Sequence, residues 1–232
     1  ISKSIENVIS RLQIPHESVK AYVYASSDIQ AECHAGDDVD CIIRLSSGLI
    51  DILEDKEIDF VVGHEIGHFI YAHGSAIASN RSESLEFSIQ QRAQEISADR
   101  IGLLACGSLD HSIRAMMKTM SGLSSKYLKF NIGAFLSQLS NTEKFKSQID
   151  SNSSHPSILV RCRALLWFSM SETFKSGEQN YQPNEVAKLN KKIKDDIDKF
   201  VDSIARERIN TLKKDVALWL CASKIIEDNA FN

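Results

Sequence analysis

The sequence predicts an α+β fold, mainly helical, with one small β-sheet near its start. Three observations predict it. Strand-like alternation is confined to the first 46 residues, helical spacing of apolar residues dominates the remainder, and the chain of 232 residues suffices for one sizeable core plus a helical appendage. Hydrophobic residues make up 43% and charged residues 25%, ordinary values for a globular protein.

The elements follow in order. Residues 2–13 place Ile5, Val8, Ile9 and Leu12 on one helical face, and Pro15 ends that helix. "VKAYVYA" at 19–25 alternates as a strand does; "IQAECHAG" and "CIIRL" are two more strands about the turn-rich "GDDVD". "LEDKEIDFVVGHEIGHFIYAHG" opens with acids and closes on Gly74, the polarity of a helix matched to its dipole. The polar "SAIASNRSES" is a loop. Residues 84–105 then repeat Leu85, Ile89, Ala93, Ile96, Ile101 and Leu104 at helical spacing. Shorter helices are expected at 110–120 and 130–139. "DSNSSHP" is a loop whose Pro156 suits the first turn of a helix over 157–174. "KSGEQNYQPN" is the clearest linker. It divides a unit at 1–175 from a charged helical extension at 184–232, packed on or covering the first. The extension's apolar seam runs from Val186 through Leu189, Ile193, Ile197, Phe200, Ile204, Ile209 and Leu212 to Val216.

Composition excludes some functions. A net charge of −4 supplies no basic field for nucleic acid. No apolar run reaches the ~18–20 residues of a membrane span. Asp59, His64, Glu65 and His68 interrupt residues 58–72, and Arg161 and Arg163 interrupt 158–170. An anchor ahead of Ile1 is left open. Cys33, Cys41, Cys106, Cys162 and Cys221 are scattered and lack a C-x-x-C pair. They read as thiols in a reducing, cytoplasmic setting, with a Cys33–Cys41 bridge across a hairpin as the alternative.

The chemistry lies in "HEIGH". On a helix, His64 and His68 project from one face a turn apart, so both imidazoles can ligate one zinc ion. Glu65 is angled to act as base on a water at the metal. The plainer reading is two histidines on a half-buried helix; by chance H-E-x-x-H arises in roughly one such chain in a hundred. Its apolar flanks Val61, Val62, Ile66 and Phe69 would dock the helix rigidly, as a catalytic helix requires. A catalytic zinc needs a third protein ligand and an open position. The extended form H-E-x-x-H-x-x-G-x-x-H is excluded, because position 71 is Tyr and position 74 is Gly; His73 falls one residue short. The next long helix offers Glu95 and Asp99 on one face. Glu95 is the favoured third ligand, with Asp99 orienting a zinc histidine. Glu83, Glu86 and Asp110 compete but lack this paired spacing.

Three motifs in order, "HEIGH" at 64–68, "EISAD" at 95–99 and "HPSILVR" at 155–161, resemble the zinc metalloendopeptidases of the CAAX prenyl protease and HtpX heat-shock protease type, which are gluzincins. The segment "IIRLSSGLIDIL" is similar to the strand and Ser-Gly-Leu that lead into their zinc helix. The resemblance spans residues 30–170. It implies a zincin-like core, one zinc per chain, and hydrolysis of extended or unfolded protein segments. It also implies that His155 stabilises the oxyanion and that Arg161 braces the site by pairing with an acid such as Asp99. Cys41, Ile42, Ile43, Arg44 and Leu45 would form the cleft's upper edge and hold the peptide by main-chain hydrogen bonds. Two departures stand out: many relatives carry several membrane spans, and many have an Asn-Ala strand where this chain reads "AECHAGDD". One rival reading is a zinc-stabilised scaffold binding a partner through the C-terminal helices. Another is a latent enzyme with Cys33, His34 or those helices at the open metal position.

Overall fold

The computed structural model describes residues 1–34, 41–71, 85–139, 158–176, 183–199 and 203–229. Helix α1 (Ser2–Leu12) precedes β1 (Val19–Tyr24), β2 (Ala31–His34) and β3 (Cys41–Ser46). The α+β expectation holds: among the described residues every later element is helical, and the three strands form one sheet in the order β1-β3-β2. β1 pairs parallel to β3, and β2 pairs antiparallel to it.

Strand order corrects one expectation. Cys41, Ile42, Ile43, Arg44 and Leu45 are not an edge; they are the central strand, bonded to β1 on one side and β2 on the other. The physical reason lies in the residues. Cys41, Ile43 and Leu45 alternate onto the buried face, so the most apolar strand takes the middle. β1 and the short, more polar β2 are left as the two outer strands. The register opposes Cys33 to Ile43, which places Cys33 and Cys41 on one face with Cα atoms 6.5 Å apart. These two cysteines form a disulfide, so the thiol expectation holds only for Cys106, Cys162 and Cys221.

Ser46 ends β3 and starts α2 (Ser47–Ile52), a short helix absent from the sequence reading. Its Oγ accepts from Leu49 N at 3.2 Å and donates to Asp28 O at 2.6 Å. One hydroxyl thus caps the helix and ties the sheet to the preceding loop.

Helices α3 (Asp55–Ile70) and α4 (Leu85–Cys106) follow. Residues 72–84, including the expected helix end at Gly74, lie outside the described residues. The two helices approach closely because α3 carries glycine at two facing positions. A Cβ on Gly63 would strike that of Ala105, and one on Gly67 would lie 2.9 Å from Ala98 Cα. α5 (Leu109–Ser121), α6 (Ile132–Leu139), α7 (Ile158–Ser169) and α8 (Glu172–Ser176) complete the body. One core unites Val8 and Ile9 of α1, Ile43 and Leu45 of β3, Val62 and Ile66 of α3, Leu103 of α4, Ile113 of α5 and Leu165 of α7. Burying each such side chain contributes about 1.5–3 kcal/mol.

The start of α3 is held by charge. Glu57 Oε2 accepts from Glu54 N at 2.8 Å and from Lys118 Nζ at 2.6 Å, both side chains being buried.

The seam expected over 184–228 divides between two helices, α9 (Pro183–Lys199) and α10 (Ser203–Asn229). Ile193 of α9 is buried against α4 and α7. By contrast, every residue from 210 to 224 on α10 is exposed, Leu212, Val216 and Trp219 included. Among the described residues no helix is long and apolar enough to cross a membrane.

Candidate metal centre

α3 presents His64 and His68, and α4 presents Glu95. Their donor atoms converge. His64 Nε2 and His68 Nε2 lie 3.0 Å apart. Glu95 Oε2 is 3.7 Å from His64 Nε2, and Oε1 is 3.5 Å from His68 Nε2. Donors at ~2.0–2.1 Å from a tetrahedral zinc are separated by about 3.3 Å, so the triangle is the right size for one cation. Among the described residues this is the one cluster of such groups.

The surrounding atoms fix the ligands' chemistry. His64 Nδ1 lies 3.0 Å from Asp99 Oδ1. An acceptor there places the ring proton on Nδ1 and leaves the Nε2 lone pair facing the cluster. Burial works against a charged imidazole, but the hydrogen bond and charge of Asp99 outweigh it, so the His64 pKa is raised.

Asp99 in turn is held by Arg161. Nε donates to Oδ2 at 2.7 Å and Nη2 donates to Oδ1 at 2.6 Å. Burial opposes ionisation of Asp99, yet Arg161 and His64 hold its carboxyl far below the usual carboxylate range. The guanidinium also reaches Glu95, with Nη1 3.0 Å from Oε2. Sequence reasoning paired Arg161 with an acid such as Asp99 but missed Glu95. The shared face of Glu95 and Asp99 was already legible, and it is what lets one guanidinium span both.

Glu65 stands between the imidazoles in sequence and is half-buried. Burial pushes its carboxyl up to about 7; the His64 charge opposes this, and Glu95 and Glu32 add to it. A carboxylate so raised is matched to accepting a proton near neutrality.

Of the other expected positions, His155, His73 and Glu83 lie outside the described residues. Cys33 is bonded to Cys41, and His34 Nε2 lies 3.1 Å from Glu32 Oε2, so neither joins the cluster. Asp110 is engaged elsewhere, accepting from Arg114 Nε at 2.6 Å.

Two packed helices that set H-E-x-x-H against a glutamate define the metallopeptidase class of site. Residues 1–89, which contain the H-E-x-x-H motif, match the family model of Peptidase family M48, in line with the resemblance read from the motifs. That match ends before Glu95, Asp99 and Arg161, which the fold brings beside His64 and His68. Three relatives carry metalloprotease names. Metalloprotease YcaL of Escherichia coli (strain K12) is 28% identical over 118 residues, which are 47% of this chain and 42% of that protein. The plastoglobule-localized metallopeptidase 48, chloroplastic, of Arabidopsis thaliana is 26% identical over 161 residues, 58% of this chain and 47% of that one. Metalloprotease LoiP of Escherichia coli (strain K12) is 37% identical over 57 residues, 25% and 21% of the two chains. The chain thus spans less than half the length of each of these relatives. No solved structure matches it.

Proposed function

We propose that the chain is a zinc-dependent endopeptidase of the gluzincin type acting on extended or unfolded protein segments. The observation that carries this reading is the convergence of His64, His68 and Glu95 beside the half-buried Glu65. Two imidazoles and one carboxylate favour zinc among divalent ions. When bound there, zinc supplies a Lewis acid for the scissile carbonyl and acidifies water.

The protein's own residues do the rest. Glu65 takes the proton of the attacking water and returns it to the leaving amine. Asp99 keeps the His64 ring in one tautomer and orientation, and Arg161 balances the paired charge of Asp99 and Glu95. His155 is assigned the oxyanion, on the strength of its motif alone. The substrate lies along β2 rather than β3: β1 and β2 are the outer strands of the sheet, and β2 is the one that packs against α3, the helix carrying His64 and His68. Main-chain bonding there reads shape rather than sequence and gives broad specificity. Residues 1–175 form the peptidase unit, and 184–232 form an extension of which α9 packs against it.

The test compares cleavage of unfolded casein by wild type and Glu65→Gln at equal zinc content. Loss of cleavage with retained metal is expected. Equal cleavage by both would refute Glu65 as the base and favour a zinc-stabilised scaffold.

A further inference from the structure

Two neighbouring rows of residues run along α4. One carries Glu95 and Asp99 to the metal site. The next, one residue on and about 100° round the helix, carries Ile96 and Arg100. α9 grips that second row at both positions. Ile193 is buried with Ile96 of α4 and with Val160 and Ala164 of α7. Asn190 Oδ1 accepts from Arg100 Nη1 at 2.9 Å. Residues three apart on α9 therefore hold residues four apart on α4.

We propose that Asn190 and Ile193 are positioning residues for the metal site: through Arg100 and Ile96 they fix the rotation of α4 and thereby the placement of Glu95. The proposal rests on the reading of His64, His68 and Glu95 as metal ligands.

The α3–α4 contact explains why such a lock is needed. Its close approaches run through Gly63, Gly67, Ala98 and Ala105, with Phe60 of α3 lying against Gly102 one turn beyond Ala98. Small residues on the turns nearer Glu95 bring the helix axes together but offer few knobs against rotation there. The demand for accuracy is high. A carboxylate tip sits ~5–6 Å from its helix axis, so a 20° rotation displaces it by about 2 Å. A working site tolerates only about 0.5 Å.

α9 is itself anchored well enough to serve. Glu185 accepts from the backbone N of Glu172 at 3.0 Å and from Thr173 Oγ1 at 3.2 Å, at the start of α8. Lys192 Nζ lies 3.4 Å from the centre of the Trp167 ring on α7. On the far side, Arg100 lies over the Phe168 ring, and among the described residues its buried Nε has no hydrogen-bond partner. Asn190 is thus an acceptor that helps offset desolvation of this cation. Val160 immediately precedes Arg161, so the same cluster steadies the guanidinium that meets Glu95.

The test uses the full chain in a Glu65→Gln background, which separates metal binding from proteolysis. Zinc affinity is measured by chelator competition, and coordination by the absorption spectrum of the cobalt(II) form. Asn190→Ala and Ile193→Ala should each weaken zinc binding by ~10-fold or more and change the cobalt spectrum. Asn190→Asp and Ile193→Val should restore both. Folded variants with parental affinity and spectrum would overturn the proposal. Should Ile193→Ala fail to fold, the exposed Asn190→Ala still decides. Failure of the casein assay would sink the peptidase reading and leave this result intact. A parent that takes up no zinc would sink the ligand assignment, and this proposal with it.

Discussion

Asp99 and Arg161 form a two-pronged ion pair, with Oδ2 accepting from Nε at 2.7 Å and Oδ1 from Nη2 at 2.6 Å. The Asp99 side chain is 1% exposed, and its Oδ1 also faces His64 Nδ1 at 3.0 Å. Asp99→Asn therefore has two effects. It leaves a buried guanidinium without its full counter-charge, which costs on the order of 3 kcal/mol. It also lets the His64 ring lose its fixed tautomer, which weakens metal binding by ~10–100-fold. Urea denaturation and zinc competition measure the two separately. Unchanged zinc affinity in Asp99→Asn would remove Asp99 from the site's second tier.

How far the sequence foretells this arrangement depends on the range of each signal. H-E-x-x-H is local: residues four apart on one helix must share a face, so His64 and His68 were legible at once. Glu95 and Asp99 carry the same four-residue period, and their helix was legible from Ile96, Ile101 and Leu104. The sheet was legible as three strands but not as an order. Alternation in "CIIRL" reveals one buried face, yet a central strand and an edge strand alternate alike. Only long-range pairing decides between them, and that put β2 at the edge. The seam over 184–228 shows a related limit. Periodicity says that a face is apolar, not what it meets: among the described residues Ile193 is buried and Leu212 is exposed.

Proton linkage provides a second prediction. In the metal-free chain the His64 pKa is raised, and that of Glu65 is pushed up to about 7. Near pH 6 both groups hold protons. A cation needs the Nε2 lone pair of His64 and favours an ionised Glu65, so binding expels protons. Affinity must then rise with pH through about 7, where Glu65 ionises, and on through the raised range of His64, by roughly tenfold per unit for each proton released. Calorimetric titration with zinc in buffers of different ionisation heat counts the protons. Glu65→Gln should release fewer. A pH-independent affinity would show that the ligands are already stripped of protons.

The glycine contact between α3 and α4 gives a third. A Cβ on Gly67 would lie 2.9 Å from Ala98 Cα and 3.1 Å from Ile101 Cβ. Backbone cannot swing aside as a flexible side chain can, so Gly67→Ala must push α4 outward. Alanine's better helix propensity, worth ~1 kcal/mol, works in the opposite direction. The overpacking cost of about 1–3 kcal/mol outweighs it. Glu95 moves with α4, so zinc affinity should fall by more than the loss of stability alone explains. Thermal melts with and without zinc separate the two: the zinc-dependent rise in Tm should shrink in Gly67→Ala. A full zinc shift would mean that α4 yields without carrying Glu95 away.

The last prediction concerns the other end of the metal-bearing helix. Lys118 of α5 is 2% exposed, and its Nζ lies 2.6 Å from Glu57 Oε2, whose side chain is fully buried. Removing one partner of such a pair strands a charge, so Lys118→Met should cost about 3–5 kcal/mol in urea denaturation. The pair's net worth is far smaller, because both ions gave up water to form it. Glu57 also accepts from Glu54 N at 2.8 Å, and a neutral amide oxygen can keep that contact at the helix start. The double variant Lys118→Met with Glu57→Gln should therefore recover most of the loss while preserving the cap. A double-mutant cycle reads the coupling directly. Should the double variant be no more stable than Lys118→Met alone, the damage would come from lost packing of the lysine stem rather than from an unpaired carboxylate.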